Sequence, residues 1–296
     1  MAILTGINTR LHKSAGDWTF MRKKNVTIAV QKVEKKGTPV RTQRQMNRRS
    51  FWANPVAMWK SFGGNMKPSF ERKATNQSDF NAFMSLNLSR GTRVYLTRGE
   101  VMQGACVVAD YQVARGTLPP IEVSLLESGR MQTNIALGDD FQITATTTVA
   151  EFTQAVLANN DNRFKEGDQI ACFLAEQLTS SRDNIPYVKM KTCRVILDSE
   201  NYAKLFKCVK SECFAAYEGY LASRDAVAGG IAWIHTREVD GKTKVSTQKL
   251  AVNNTLLSTY TSAAARSAAI TSYGGVNKSD YLTPDETEDE DVNVNP

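Results

Sequence analysis

Histidine is scarce in this chain: His12 and His235 are the only two in 296 residues. Metal sites and catalytic triads need such residues beside partners at recognisable spacing. Neither histidine has that company; both fall in predicted strands, with Lys13 and Arg237 as the nearby charges. The usual phosphate, dinucleotide, hydrolase and metalloprotease signatures (a P-loop, G-x-G-x-x-G, G-x-S-x-G, H-E-x-x-H) are missing too. The loop acids Asp139, Asp140 and Asp161 lack a cation-loop pattern and read as solvated turns. The chain is therefore read as not an enzyme, with no cofactor and no metal.

Cysteine is limited to five: Cys106, Cys172, Cys193, Cys208 and Cys213. The number is odd, no C-x-x-C occurs, and no disulfide framework is expected. Cys172 lies inside an apolar run and Cys106 beside one, which suits buried free thiols. Reduced thiols agree with cytoplasmic synthesis. Cys208 and Cys213 share neither a helix face nor a strand face, so they are not read as a zinc pair. Long apolar runs are absent as well. IACFLA at 170–175 and GGIAWI at 229–234 are typical, far short of the roughly 20 residues that cross a bilayer. The opening MAILTGINTRLHKS holds too short an apolar run for a secretory signal. The expectation is no membrane span and no export.

Acidic residues are few at the start and basic ones are missing at the end. Residues 1–100 carry 19 Lys/Arg against 5 Asp/Glu, net +14; residues 101–283 carry 18 against 19; residues 284–296 carry 6 acids and no base. The total of +7 thus hides a basic head, a neutral body and an acidic tail. Such asymmetry speaks about partners rather than fold.

What is present suggests an α+β chain. Residues 9–33 read as two strands, the second running on from Trp18 through Arg22, Lys23 and Lys24. Thr42 with Gln45 fits a capping box, and Asn54-Pro55 fits a helix start. Two helices are therefore predicted, over 42–53 and 55–62, meeting at a bend, with Phe51, Trp52, Trp59 and Phe62 packing them together. Phe80, Phe83, Met84 and Leu88 form one apolar stripe, so a helix is predicted over 78–88. Strands are predicted at 93–97, 104–114, 121–126, 131–136, 169–176 and 187–197. A helix capped by Thr148 and Glu151 interrupts them. Residues 201–222 fit a helix or a bent strand pair. Asp240-Gly241 marks a hairpin between strands at 231–238 and 244–253, and an Ala-rich helix follows at 255–272. The expected organisation is a basic hairpin-and-helix region at 1–92, a β-rich, sandwich-like domain with small helical insertions at 93–282, and a disordered acidic tail at 283–296.

The stretch VRTQRQMNRRSFWANPVAMWKSF, residues 40–62, is where function is expected. It holds four arginines, one lysine, two tryptophans and no acid. Arg44 and Arg48 share one helix face, Arg41 extends their row and Arg49 points elsewhere. Such a row can grip phosphates with forked donors, dock on an acidic protein face, or stand in solvent. Arginine and aromatics are enriched at protein interfaces, which favours docking. The candidate binding residues are Arg41, Arg44, Arg48, Arg49, Trp52 and Trp59, with Arg22, Lys23 and Lys24 extending the field. Protein partners, a homo-oligomer among them, are expected first, and nucleic acid second.

Two motifs carry a resemblance. R-T-x-x-Q-x-x-x-R with an aromatic three residues on is supplied by Arg41, Thr42, Gln45, Arg49 and Trp52. F-N-x-x-M-S-x-N-L is supplied by Phe80, Asn81, Met84, Ser85, Asn87 and Leu88. In this order, before a β-rich body, they resemble a Bacteroidota and phage protein family known as a domain of unknown function. The likeness is clearest over residues 1–90. The family usually has phenylalanine where this chain has Trp52. The resemblance implies an origin in Bacteroidota or their phages and no reaction. It leads to the expectation of a structural protein of a phage particle, such as a tail or connector ring component.

Overall fold

The computed structural model describes residues 2–4, 13–15, 18–23, 26–31, 43–66, 69–71, 73, 77–202 and 212–274. Two compact units divide the chain, Met1–Arg41 and Thr42–Pro296. In the first, strands β1 (Ala2–Leu4), β2 (Lys13–Ala15), β3 (Trp18–Lys23) and β4 (Val26–Gln31) form an antiparallel sheet in the order β1-β4-β3-β2. The single long strand expected from Trp18 onward is two strands, paired so that Lys23 lies opposite Val26. An alternating pattern fits a hairpin arm as well as a continuous strand; strand pairing decides between them.

The second unit is α+β. It opens with helix α1 (Gln43–Phe62), followed by α2 (Asp79–Arg90) and α3 (Arg98–Met102). Short strands β5 (Gln112–Ala114), β6 (Val123–Leu125) and β7 (Met131–Ala136) lead to helix α4 (Val149–Ala158). The long strands β8 (Gln169–Thr179) and β9 (Pro186–Ile196) come next, then β10 (Ala215–Tyr217), β11 (Tyr220–Ala222), β12 (Gly229–Val239), β13 (Lys242–Val245), β14 (Gln248–Lys249) and β15 (Ala251–Asn253). Helices α5 (Leu257–Thr261) and α6 (Ala263–Gly274) close the described chain. Of the residues whose secondary structure is open between helix and strand, 203–211 lie outside the described set.

The central sheet orders β13-β12-β8-β9, with β15 also on β12; a second sheet orders β10-β11-β7-β6. The two apolar runs of the sequence are β8 and β12, and their continuity has a simple cause. Ile170, Cys172, Leu174, Ile231 and Trp233 point into one core with Met131 and Ile135 of β7, Leu221 of β11 and Phe152 of α4. The intervening Ala171, Phe173, Ala175, Ala232 and Ile234 point into another, with Met58, Phe62, Phe83 and the segment 105–114. A strand buried on both faces needs no polar alternation. The turn between β12 and β13 has Asp240 and Gly241 both at positive φ, 50° and 68°, as a two-residue hairpin demands.

Two expectations fail in an informative way. The first concerns residues 93–97 and 104–114, expected as strands; only 112–114 pair in a ladder. The rest runs extended and mostly buried: the Tyr95, Leu96 and Cys106 N–H groups donate to the Tyr260, Ser50 and Pro186 carbonyls at 2.8, 3.1 and 2.8 Å, and side-chain amides hold Val107, Val108 and Gln112. Asn54 of α1 donates to the Val107 carbonyl at 2.8 Å and accepts from its N–H at 2.8 Å. Asn87 of α2 does the same for Gln112, at 3.0 and 2.7 Å. Gln177 accepts from Val108 N–H at 2.8 Å, while Asn254 donates to its carbonyl at 3.0 Å. Buried peptide groups need partners, and at Val107, Val108 and Gln112 asparagine and glutamine side chains supply them.

The second failure concerns Asn54-Pro55. It does not start a new helix: α1 runs unbroken from Gln43 to Phe62 with Pro55 inside. Proline in a helix interior removes one hydrogen bond and costs a few kcal/mol. Against this stands a buried row at Met46, Ser50, Asn54, Met58 and Phe62, whose tertiary packing keeps the segment helical. Asn54 is thereby drawn to Val107 instead of capping.

Cys106, Cys172 and Cys213 are buried free thiols, and burial pushes the Cys106 thiol up to about 12. Cys193 on β9 is disulfide-bonded, its partner lying outside the described residues. The cysteines are thus not all the reduced thiols that their number and spacing suggested. Spacing along a sequence does not register which segments a fold brings together.

Candidate interaction face on the first helix

The inner face of α1 is fixed by its buried row, so its outer face follows from helical geometry. Arg44, Arg48 and Trp52 stand at i, i+4 and i+8, one above the next at about 6 Å per step, and all three are exposed. Trp52 is 48% exposed. It was expected to pack the helices; instead it caps the arginine row. The other aromatics do pack. Phe51 meets Tyr95 edge-on at 6.4 Å beneath Arg93, whose guanidinium lies 5.1 Å from the ring centre. Trp59 is half-buried against Phe80 and Phe83 at 5.9 and 5.3 Å, and Phe62 meets Phe83 and Phe173.

Arg44, Arg48 and Arg49 form no ion pair among the described residues. No acid stands in the first turn of α1, where the helix dipole favours negative charge. Arg44 sits in that turn, so its placement works against the helix rather than for it. Arg49 leaves the row, lying near Tyr273 of α6. Arg22 and Lys23 lie on β3, in the separate Met1–Arg41 unit. Arg41 and Lys24 lie outside the described residues. Of the nine candidates, the fold thus gathers Arg44, Arg48 and Trp52 into one row, sets Arg49 beside it, and turns Trp59 inward.

The molecule's other notable charge cluster is sealed. Asp168, the last residue before β8, is 1% exposed and His235 of β12 fully buried. His235 Nε2 lies 2.7 Å from Asp168 Oδ2. Arg237 donates to both carboxylate oxygens, from Nε at 2.8 Å and from an Nη at 2.7 Å, and the Lys165 N–H donates at 2.8 Å. Burial alone raises the Asp168 pKa; the Arg237 and His235 donors and the Lys165 amide outweigh it and hold the carboxyl at about 2. An ionised carboxylate only accepts, so Nε2 carries the proton. Among the described residues His235 Nδ1 has no hydrogen-bond partner, and the Phe164 ring lies 4.7 Å away. The cluster knits the 163–168 turn to β12. Among the described residues no group of three potential ligands could hold a metal ion, and no helix is long and apolar enough to cross a membrane.

Comparison of the chain with protein-family models, curated proteins and solved structures returns no match.

Proposed function

We propose that this chain is a structural, assembly-type protein that works through protein–protein contacts, docking the outer face of α1 on an acidic surface. The observation that carries the proposal is the row Arg44–Arg48–Trp52: cations without an ion-pair partner among the described residues, and an exposed indole, on a helix with no acid of its own. Arginine and tryptophan are the side chains that dominate interface energetics, and a cation at a helix start gains nothing until an external anion arrives. A homo-oligomer or a particle of several proteins fits this use. The sequence resemblance supports a phage particle, with a tail or connector ring as the setting.

The test is mass by light scattering at physiological salt with absorbance recorded for nucleic acid, on the native chain and on Arg44→Glu/Arg48→Glu. A discrete oligomer free of nucleic acid that the double variant dissolves supports assembly. A monomer carrying nucleic acid, released by salt and lost in the variant, transfers the row to phosphate binding, where affinity falls steeply with salt.

A further inference from the structure

The second unit carries a counterpart to the arginine row. Residues 131–162 hold four acids (Asp139, Asp140, Glu151 and Asp161) and no base, the reverse of residues 40–62. The fold gathers three turns into one corner. Asn160, in the turn after α4, donates to the Ala136 carbonyl at 2.8 Å and accepts from its N–H at 3.0 Å, and a Cβ on Gly138 would meet Asn159 Nδ2 at 3.4 Å. The turn between β10 and β11 reaches the same place. The Leu137 N–H donates to the Gly219 carbonyl at 2.7 Å, and a Cβ on Gly219 would meet Asp139 Oδ1 at 2.7 Å. Asp139, Asp140, Asp161 and Glu218 are all exposed, and none forms an ion pair among the described residues. Tyr220, the residue after Gly219, is 43% exposed.

Two observations make this corner a partner for α1. The first concerns the helix ends. α1 has no acid in its first turn and carries Arg44 there. α4 has no base in its last turn and is followed by Asp161. Each charge stands at the helix end that repels it, and each would be relieved by the other. The second concerns placement. α1 packs through Met58 and Phe62 on Ala171, Phe173 and Ile234. α4, β7 and β11 pack through Phe152, Ile135 and Leu221 on Ile170, Cys172 and Trp233. These are alternate faces of β8 and β12, so the row and the corner lie on opposite sides of the central sheet and do not meet within one chain. We propose that the outer face of α1 docks on the acidic corner of a second copy of this chain, with Arg44 and Arg48 against its Asp139, Asp140 and Asp161, and Trp52 against its Tyr220. Forked guanidinium donors suit carboxylates, and tryptophan and tyrosine anchor interfaces. Two unlike patches make the contact heterologous, and heterologous contacts build rings or filaments rather than closed pairs. The inference rests on the reading of α1 as a docking face and names what it docks on.

The experiment reads mass against concentration by light scattering for four full-length proteins: the native chain, Arg44→Glu/Arg48→Glu, Asp139→Lys/Asp140→Lys, and the chain with all four changes. The native chain is expected to grow beyond a dimer. Either pair of changes alone sets like charges against each other and should weaken association on the order of a hundredfold. Mixing the two double variants in equal amounts, or combining all four changes, puts opposite charges back across the contact and should restore association. A variant that merely misfolds is not rescued in this way. Association that survives reversal at Asp139 and Asp140 but not at Arg44 and Arg48 overturns the acidic corner and leaves the docking face standing. Loss in both double variants without rescue overturns the pairing. A native chain that stays monomeric or stops at a dimer overturns the head-to-tail contact between copies and leaves α1 to another acidic protein. Association that ignores both reversals overturns this inference and the docking face together.

Discussion

Arginine appears in two opposite settings in this molecule. Arg237 sits 18% exposed, with its fork filled by the Asp168 carboxylate and the Arg163 carbonyl. Arg44 and Arg48 stand in solvent with their forks empty among the described residues. A filled fork is committed to the fold: its geometry is fixed by its partners, and it has nothing left to offer a ligand. An empty fork contributes little to stability and keeps its donors for something outside. Charge counting from composition cannot separate the two, since both add one unit to the net charge.

The largest effect that sharpens this contrast is expected at Asp168. Replacing it by alanine strands Arg237 and His235 in a buried site, which should cost about 3–5 kcal/mol and lower the melting temperature sharply; an unchanged transition would break the comparison. Asn54→Ala comes next. It leaves the Val107 N–H and carbonyl buried without partners, at about 1–3 kcal/mol for each stranded group, read by urea unfolding.

Acid gives a third, graded test. The Asp168 and Glu71 carboxyls are both held at about 2. For Glu71 burial pushes upward, and the Lys244 ammonium with the Thr117 and Val245 donors outweighs it. A depressed carboxylate stabilises the fold above its unfolded pKa, near 4, and that stability is lost as pH falls towards 2. Denaturant midpoints should therefore hold steady down to about pH 5 and fall below pH 4.

The smallest effects on stability belong to the outer face of α1. Arg44→Glu/Arg48→Glu should leave unfolding within about 0.5 kcal/mol of native while removing association. Trp52→Ala should weaken association by about tenfold, an interface loss of the size seen for anchoring aromatics, with the melting curve little changed. A large loss of stability in either would mean that the row belongs to the fold after all.

Much of this could be read from the residues. Both apolar runs became the central strands because only strands covered on two faces can be apolar throughout. Thr148 and Glu151 form the capping box that their spacing demands, the apolar stripe from Phe80 to Leu88 lies on α2, and Asp240-Gly241 turns the hairpin. The i, i+4 relation of Arg44 and Arg48 is a property of any helix. These features depend on neighbours a few residues away, so the sequence by itself determined them. What only the tertiary structure decided depends on partners far along the chain. Residues 105–111 are extended without a ladder because Asn54, Gln177 and Asn254 reach them from three distant elements. α1 passes through Pro55 because its inner row is packed. Trp52 faces out because that row, not aromatic content, fixes which side is buried. α6 docks on α1 and α3, where the Arg98 N–H meets Ser272 Oγ, a contact that local spacing does not encode.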